Sequence, residues 1–339
     1  MLRLIDANLN RISEGLRLLE DVARFILNDA ALSAALKSLR HELLRQHSSL
    51  QKELLSARDS AGDVAAFAEE EMRRTDLPAI ITANARRVEE SLRVLEEISK
   101  LPDLALDPAK FKQARFTLYE LERALMGKIL RVEKRIAGLY VIIDPEALGG
   151  RDEQEVCRQA ICGGARAIQL RDKKRSRAEI LAAVQKLREV CAQHDVPFIL
   201  NDYLDIVLAS GADGLHLGQG DLPVSVARRL LPIDKILGCS ATTLEEALQA
   251  EASGADYIAV GAIYPTPSKA GAIVVGLERL RQIREAISLP VVAIGGIDGK
   301  NAPAVVEAGA DAIAVISAVC SAADVEEAAR KLAEMMEVK

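Results

Sequence analysis

Tryptophan is absent from the 339 residues, and aromatic residues as a group make up only 3%. So few rings leave no stacking platform for exposed bases. A formal net charge of −6 with no basic run leaves nothing to track a phosphate backbone. No nucleic acid is therefore expected as a partner. The cysteines, Cys157, Cys162, Cys191, Cys239 and Cys320, are odd in number and lack zinc-ligand spacing, so buried thiols in a reducing compartment are expected. No stretch has the apolar length needed to span a bilayer, and the first residues, with Asp6 and Arg11, do not read as an apolar leader. These absences predict a soluble, cytoplasmic protein with no membrane partner. There is also no GxGxxG turn of the dinucleotide-binding kind. What remains is a chain that is 50% hydrophobic and long enough for two domains.

The first half carries an internal duplication. Residues 6–24 and 82–100 align without gaps at an offset of 76, with eight of nineteen positions identical. The shared polar residues include Asn8/Asn84, Arg11/Arg87, Glu14/Glu90, Arg17/Arg93 and Glu20/Glu96. Each copy has an apolar stripe at helical spacing: Leu9, Ile12, Leu16 and Leu19 in one, Ala85, Val88, Leu92 and Leu95 in the other. Asp6 and Thr82 are the expected N-caps. A second amphipathic helix follows each copy, near 31–46 and 108–130, and another is expected near 64–74. The pattern predicts an all-α domain over 1–134 built from a repeated helical hairpin. The matched polar residues are expected to form ion pairs between the two copies. No His-and-carboxylate cluster assigns chemistry to them.

From residue 138 the period changes. Short apolar runs at 139–143, 167–170, 197–200, 214–217, 236–239, 257–260, 291–294 and 312–316 alternate with amphipathic stretches. Three helix-to-strand junctions, at 211–214, 253–256 and 309–312, carry a glycine where a helix should end. Eight such units over 138–339 predict an α/β fold, a (β/α)₈ TIM barrel. An open doubly wound sheet is the alternative.

A barrel of this kind keeps its chemistry at the C-terminal ends of its strands. Polar residues recur there: Gln169, Arg171 and Lys173 at the second strand, Asn201 and Asp202 at the third, His216 and Asp221 at the fourth, and Ser240 at the fifth. The stretch 261–269, GAIYPTPSK, leaves the sixth as a stiff loop, because Pro265 and Pro267 fix φ and lack a donor. It offers Thr266, Ser268 and Lys269 for a phosphorylated ligand. Gly295 and Gly296 after the seventh strand, with Ile316 and Ser317 after the eighth, supply main-chain donors for a phosphate; alternatively, the glycines only permit a tight turn. Asp202 and Asp221 present two carboxylates suited to a hard divalent cation, typically Mg²⁺, although each also precedes a helix that it could cap. Arg and Lys beside such a pair suit a diphosphate. His216 reads equally as a general base or as a buried imidazole. Two phosphate sites, one with a metal, imply that two phosphorylated small molecules are joined with loss of diphosphate.

The motifs QLRDK (169–173), ND (201–202), DGLHLGQGD (213–221), GCSATT (238–243), GAIYPTPSKAG (261–271) and VVAIGGI (291–297) together resemble the thiamine-phosphate synthase family. The resemblance spans the second half of the chain. It implies a (β/α)₈ transferase that couples hydroxymethylpyrimidine diphosphate to thiazole phosphate. On the matching positions it implies that Gln169, Arg171, Lys173 and Asn201 hold the pyrimidine diphosphate. Asp202 and Asp221 would bind Mg²⁺, and Ser240 and Lys269 would contact the diphosphate. Thr266, Pro267 and Ser268 would line the thiazole phosphate site, with its phosphate on Gly295, Gly296, Ile316 and Ser317. Ser268 stands where the family usually has Thr, and the hydroxyl is kept. The helical half resembles an extra N-terminal domain of some members, which assigns it no role. Barrels of this kind commonly form dimers, so a homodimer is one expected assembly. The rival readings are a thiazole tautomerase on the same barrel, a non-catalytic sensor of a thiamine precursor, and a generic phosphosugar barrel. The retained set Lys173, Asp202, Asp221 and Lys269 favours the synthase.

Overall fold

The computed structural model describes residues 1–45, 50–58, 74–102, 104, 106–132, 134–267 and 271–337. The chain divides into two compact units, Met1–Glu133 and Lys134–Lys339. The first is helical: α1 (Leu2–Asp21) runs into a π-helical turn (Val22–Ile26), followed by α2 (Ala30–Arg45), α3 (Gln51–Ser56), α4 (Leu77–Ile98) and α5 (Pro108–Val132). The duplicated stripes are the core. Ile12, Leu16, Leu19, Val88, Leu92 and Leu95 are all fully buried. The helices α1 and α4 meet at Gly15, where a Cβ would stand 2.5 Å from Val88 Cγ2 and 3.2 Å from the Asn84 carbonyl.

Three expectations for this unit are corrected. Asp6 does not cap α1; it lies inside the helix and takes Arg58 Nε at 2.6 Å. Thr82 does not cap α4; Asp76 does, accepting the Ala79 N–H at 2.8 Å just ahead of Pro78 in the first turn. The matched ion pairs form within each hairpin rather than between copies. Buried Glu20 binds Arg17 and, on α2, Arg40 at 2.8 Å; buried Glu96 binds Arg93 and, on α5, Arg115 at 3.0 Å. Of the other matched residues, Asn8, Arg11, Glu14, Arg87 and Glu90 share with Ser91 and Val94 a cleft of about 530 Å³. The helix expected near 64–74 lies outside the described residues, apart from Arg74.

In the second unit β1 (Gly138–Ile143), β2 (Ala165–Leu170), β3 (Phe198–Asn201), β4 (Gly214–Leu217), β5 (Ile236–Ala241), β6 (Tyr257–Gly261), β7 (Val291–Ile294) and β8 (Ala312–Val315) form a closed parallel barrel in chain order. Pairing of β1 with β8, Gly138 to Ala312 through Val141 to Val315, excludes the open sheet. Each strand is followed by helix: α6 (Glu153–Cys162), α7 (Arg177–Gln193), α8 (Leu204–Ser210), α9 (Val224–Leu230), α10 (Leu244–Ala252), α11 (Gly276–Ala286), α12 (Ala302–Glu307), then α13 (Ser317–Cys320) and α14 (Val325–Glu337). The last unit thus ends in a short turn of helix followed by a longer one. The junction glycines Gly211, Gly254 and Gly309 have φ of +71°, +95° and +97°, the left-handed conformation that ends a helix.

Strand periodicity sorts the core into two shells. Leu139, Val141 and Ile143 face the helices, while Tyr140 and Ile142 face the barrel axis. Ala167, Ala259, Ala312 and Ala314 keep much of the interior lining small. That leaves room for two large rings, Tyr140 and Tyr257, both fully buried. Tyr257 also needs Gly238, where a Cβ would stand 2.0 Å from its Cζ.

Candidate active site

Parallel strands direct their C-terminal ends to one rim, and there the barrel opens into a cavity of about 640 Å³. Gln169, Arg171, Lys173, Asn201, Asp202, Asp221 and Ser240 line it together with Thr266, Pro267, Gly295, Gly296, Ile316 and Ser317. Ser268 and Lys269 lie outside the described residues. Asn201 and Ser240 stand within β3 and β5 rather than beyond them, which fixes their Cα positions by ladder pairing to His216 and Ala259.

The two aspartates converge. The carboxyl of Asp202 lies beside that of Asp221 and 3.3 Å from Lys173 Nζ. Burial, then the adjacent Asp221 carboxylate, push the Asp202 carboxyl above its ordinary range, while Lys173 pulls it back. Asp202 itself has a φ of +67°, a left-handed conformation that is uncommon for a side chain other than Asn or Asp. The Asp221 carboxylate accepts the Gly218 N–H at 2.7 Å. Neither aspartate caps the helix that follows; α8 and α9 begin at Tyr203 and Pro223 without a side-chain cap. Two carboxyls held together on the loops after β3 and β4, outside capping geometry, fit a divalent cation with oxygen ligands completed by water and substrate.

Arg171 is held by Asp144, whose Oδ2 accepts from Nη1 at 2.6 Å. Asp144 is buried at the end of β1. It was legible by the same rule that found the others, since it is the first residue past the first strand. Glu246 also lines the cavity and is tied to Thr242, whose N–H donates at 2.7 Å. Gln219 fixes the other side of β5 by donating to the Ser240 carbonyl at 2.6 Å. The His216 ring is engaged at both nitrogens, Nδ1 with the Tyr257 hydroxyl and Nε2 with Ser240 Oγ, each at 2.9 Å. That is the geometry of a buried positioning imidazole. Burial pushes the Cys239 thiol up to about 11 and the Cys320 thiol up to about 12, so neither is a nucleophile at neutral pH.

On the opposite wall Gly295 and Gly296 have φ of +99° and +65°. A Cβ at Gly295 would stand 2.6 Å from the Ala262 Cβ, and one at Gly296 would stand 2.5 Å from the Pro265 carbonyl. The glycine pair is therefore required by close packing on the loop after β6 as well as by its own turn. Its backbone still borders the cavity.

A closed eight-stranded parallel barrel with a cavity carrying its polar side chains at the strands' C-terminal ends is the architecture of a barrel enzyme. The thiamine monophosphate synthase family matches residues 139–319, and the ThiD2 family matches residues 3–124. The chain is 42% identical over 333 residues to the thiamine-phosphate synthase of Synechocystis sp. (strain PCC 6803), covering 97% of this chain and 94% of that protein. It is 50% identical over 200 residues to the thiamine-phosphate synthase of Methanospirillum hungatei, covering 59% of this chain and 97% of the relative. Among solved structures, the thiamine phosphate pyrophosphorylase from Pyrococcus furiosus is 44% identical with a TM-score of 0.56, over 59% of this chain and 96% of that one. The chain belongs to the thiamine-phosphate synthase family and is a transferase. Among the described residues, no helix is long and apolar enough to cross a membrane.

Proposed function

We propose that this chain joins 4-amino-2-methyl-5-hydroxymethylpyrimidine diphosphate to 4-methyl-5-(2-phosphoethyl)thiazole and releases diphosphate. The observation that carries the reading is one cavity with two unlike walls. A carboxylate pair with Arg171 and Lys173 stands on one side, and the glycine backbone with Ser317 on the other. A single-phosphate tautomerase would have no use for the first wall.

Asp202 and Asp221 are the residues that would hold Mg²⁺, which supplies charge neutralisation to a bound diphosphate. Arg171, aligned by Asp144, and Lys173 neutralise the charge that grows on the leaving oxygens. The carbon–oxygen bond breaks with its electron pair leaving on diphosphate. The resulting pyrimidine-methyl cation is stabilised by its ring amino group, and the thiazole nitrogen lone pair then forms the new carbon–nitrogen bond. Gln169 and Asn201 orient the pyrimidine, and Gly295, Gly296, Ile316 and Ser317 hold the thiazole phosphate. Thr266 and Pro267 line the thiazole side and Ser240 faces the diphosphate; the roles that the resemblance gives Ser268, toward the thiazole phosphate, and Lys269, toward the diphosphate, belong to the same proposal. The protein's share of the catalysis is positioning and fixed charge more than proton transfer.

The two-wall reading is tested by crossed kinetics. Lys173→Ala should raise KM for the pyrimidine diphosphate about tenfold or lower kcat, with KM for the thiazole phosphate little changed; Ser317→Ala should raise KM for the thiazole phosphate alone. Equal effects of both variants on both substrates would contradict separate subsites.

A further inference from the structure

Along the cavity floor runs a chain of four hydrogen bonds from β2 to β5, of whose members all but Tyr257 line the cavity. Gln169 Nε2 donates to the Tyr140 hydroxyl at 2.8 Å, the Tyr140 and Tyr257 hydroxyls are 3.1 Å apart, Tyr257 meets His216 Nδ1 at 2.9 Å, and His216 Nε2 meets Ser240 Oγ at 2.9 Å. Gln169, Tyr140 and Tyr257 are at most 3% exposed, and His216 is 7% exposed. Tyr140 packs edge-on against Tyr257, and the His216 ring stacks on Tyr257 at 5.6 Å between centroids.

Each member constrains the next, because a phenol has one proton to give. An amide nitrogen only donates, so Tyr140 accepts from Gln169 and gives its proton to Tyr257. Tyr257 then gives its own to His216 Nδ1. That nitrogen must present a lone pair, so the imidazole is neutral and carries its proton on Nε2. Nε2–H donates to Ser240 Oγ, and the Ser240 proton is left to point into the cavity. The reverse order would leave the Tyr140 hydroxyl proton buried with neither neighbour to accept it, at the cost of an unsatisfied buried donor.

From this we infer that Tyr257, which does not line the cavity, is a positioning residue: it fixes the His216 tautomer and so keeps the Ser240 hydroxyl as a donor toward bound substrate. The inference rests on the reading above for what Ser240 faces, but the direction of the chain does not depend on that reading. Tyr257→Phe keeps the ring and removes only the hydroxyl. It frees the His216 tautomer and lets Ser240 turn its proton back onto Nε2.

The experiment has two arms on the full chain. Nitrogen NMR of the imidazoles, with His216 assigned by its loss in His216→Asn, should find the Nε2–H tautomer in the parent and a mixture in Tyr257→Phe. An Nδ1–H tautomer in the parent overturns the inference, whether or not any variant folds. The second arm is a double-mutant cycle. Tyr257→Phe should lower kcat about tenfold in the parent and have no further effect in a Ser240→Ala background. Tyr140→Phe, which leaves the Tyr257-to-His216 bond intact, should cost less. Independent effects of Tyr257→Phe and Ser240→Ala, or full activity in Tyr257→Phe, overturn the coupling. If the tautomer is as expected while Ser240→Ala itself is fully active, the chain stands and the assignment of Ser240 to the diphosphate side fails.

Discussion

Gly238 decides what the barrel can contain. With a methyl group there, the Tyr257 ring would have to move, since Cζ and the hydroxyl oxygen stand 2.0 Å and 2.4 Å from the added carbon. Gly238→Ala should destabilise the barrel by roughly 1–3 kcal/mol, read as a lower Tm, and lower synthase activity more than stability alone would explain. A variant with unchanged Tm and turnover would mean that Tyr257 has room to move freely. The second prediction at this scale concerns Asp202. Asp202→Asn keeps the shape and the left-handed backbone but removes a charge, so the Mg²⁺ concentration for half-activation should rise about tenfold or more. An unchanged Mg²⁺ titration would remove Asp202 from the proposed cation site. Asp202 and Asp221 were legible as polar residues after strands. Tyr140 and Tyr257 were not, because both faces of a parallel strand are buried here and an inward tyrosine looks like any core residue until its partners are known.

At the scale of elements, the helical hairpins rest on buried ion pairs. Among the described residues, Arg40→Ala leaves Glu20, 2% exposed, with only the half-exposed Arg17 as an ion-pair partner. The expected loss is roughly 3 kcal/mol by denaturant melting, because a buried carboxylate loses its best partner. A change below about 0.5 kcal/mol would place the pair among surface bridges. Between α4 and α5, burial and then the neighbouring Glu122 raise the Glu89 carboxyl to about 7. A folded-state value above the unfolded one stabilises the fold at low pH, and that contribution is lost as pH climbs from about 4.5 through about 7. Tm should therefore fall from about pH 5 to about pH 8, and Glu89→Gln should flatten the fall and raise Tm at the upper end. Solvent screening of this partly exposed group limits the gain to the order of 1 kcal/mol. A fall of the same size in Glu89→Gln would point to another group. The duplication and its apolar stripes were readable because helical spacing repeats every few residues. The helix starts were not: apolar Leu2 and Ile5 carry α1 past Asp6, while Asp76 with Pro78 in the first turn was the stronger start signal for α4.

At the scale of the whole molecule, the order of eight strands and the rim of polar residues were visible in the sequence because each unit repeats one physical solution. The pairing within hairpins rather than between copies was not, since sequence spacing does not tell which helix a long arginine will reach. The synthase chemistry is proposed for the unit from Lys134 onward, which holds the residues, 139–319, that the thiamine monophosphate synthase family matches. Residues 134–339 expressed alone should keep kcat within a few-fold of the full chain, measured side by side. A folded barrel with no turnover would assign part of the catalysis to the helical unit. The most direct measurement is the coupling reaction of the full-length chain with hydroxymethylpyrimidine diphosphate and thiazole phosphate, with and without Mg²⁺, following both products at once. Thiamine phosphate and diphosphate should form in equal amounts, and only when Mg²⁺ is present. A folded protein that binds the thiazole phosphate but forms neither product would contradict the account and favour a tautomerase or a sensor.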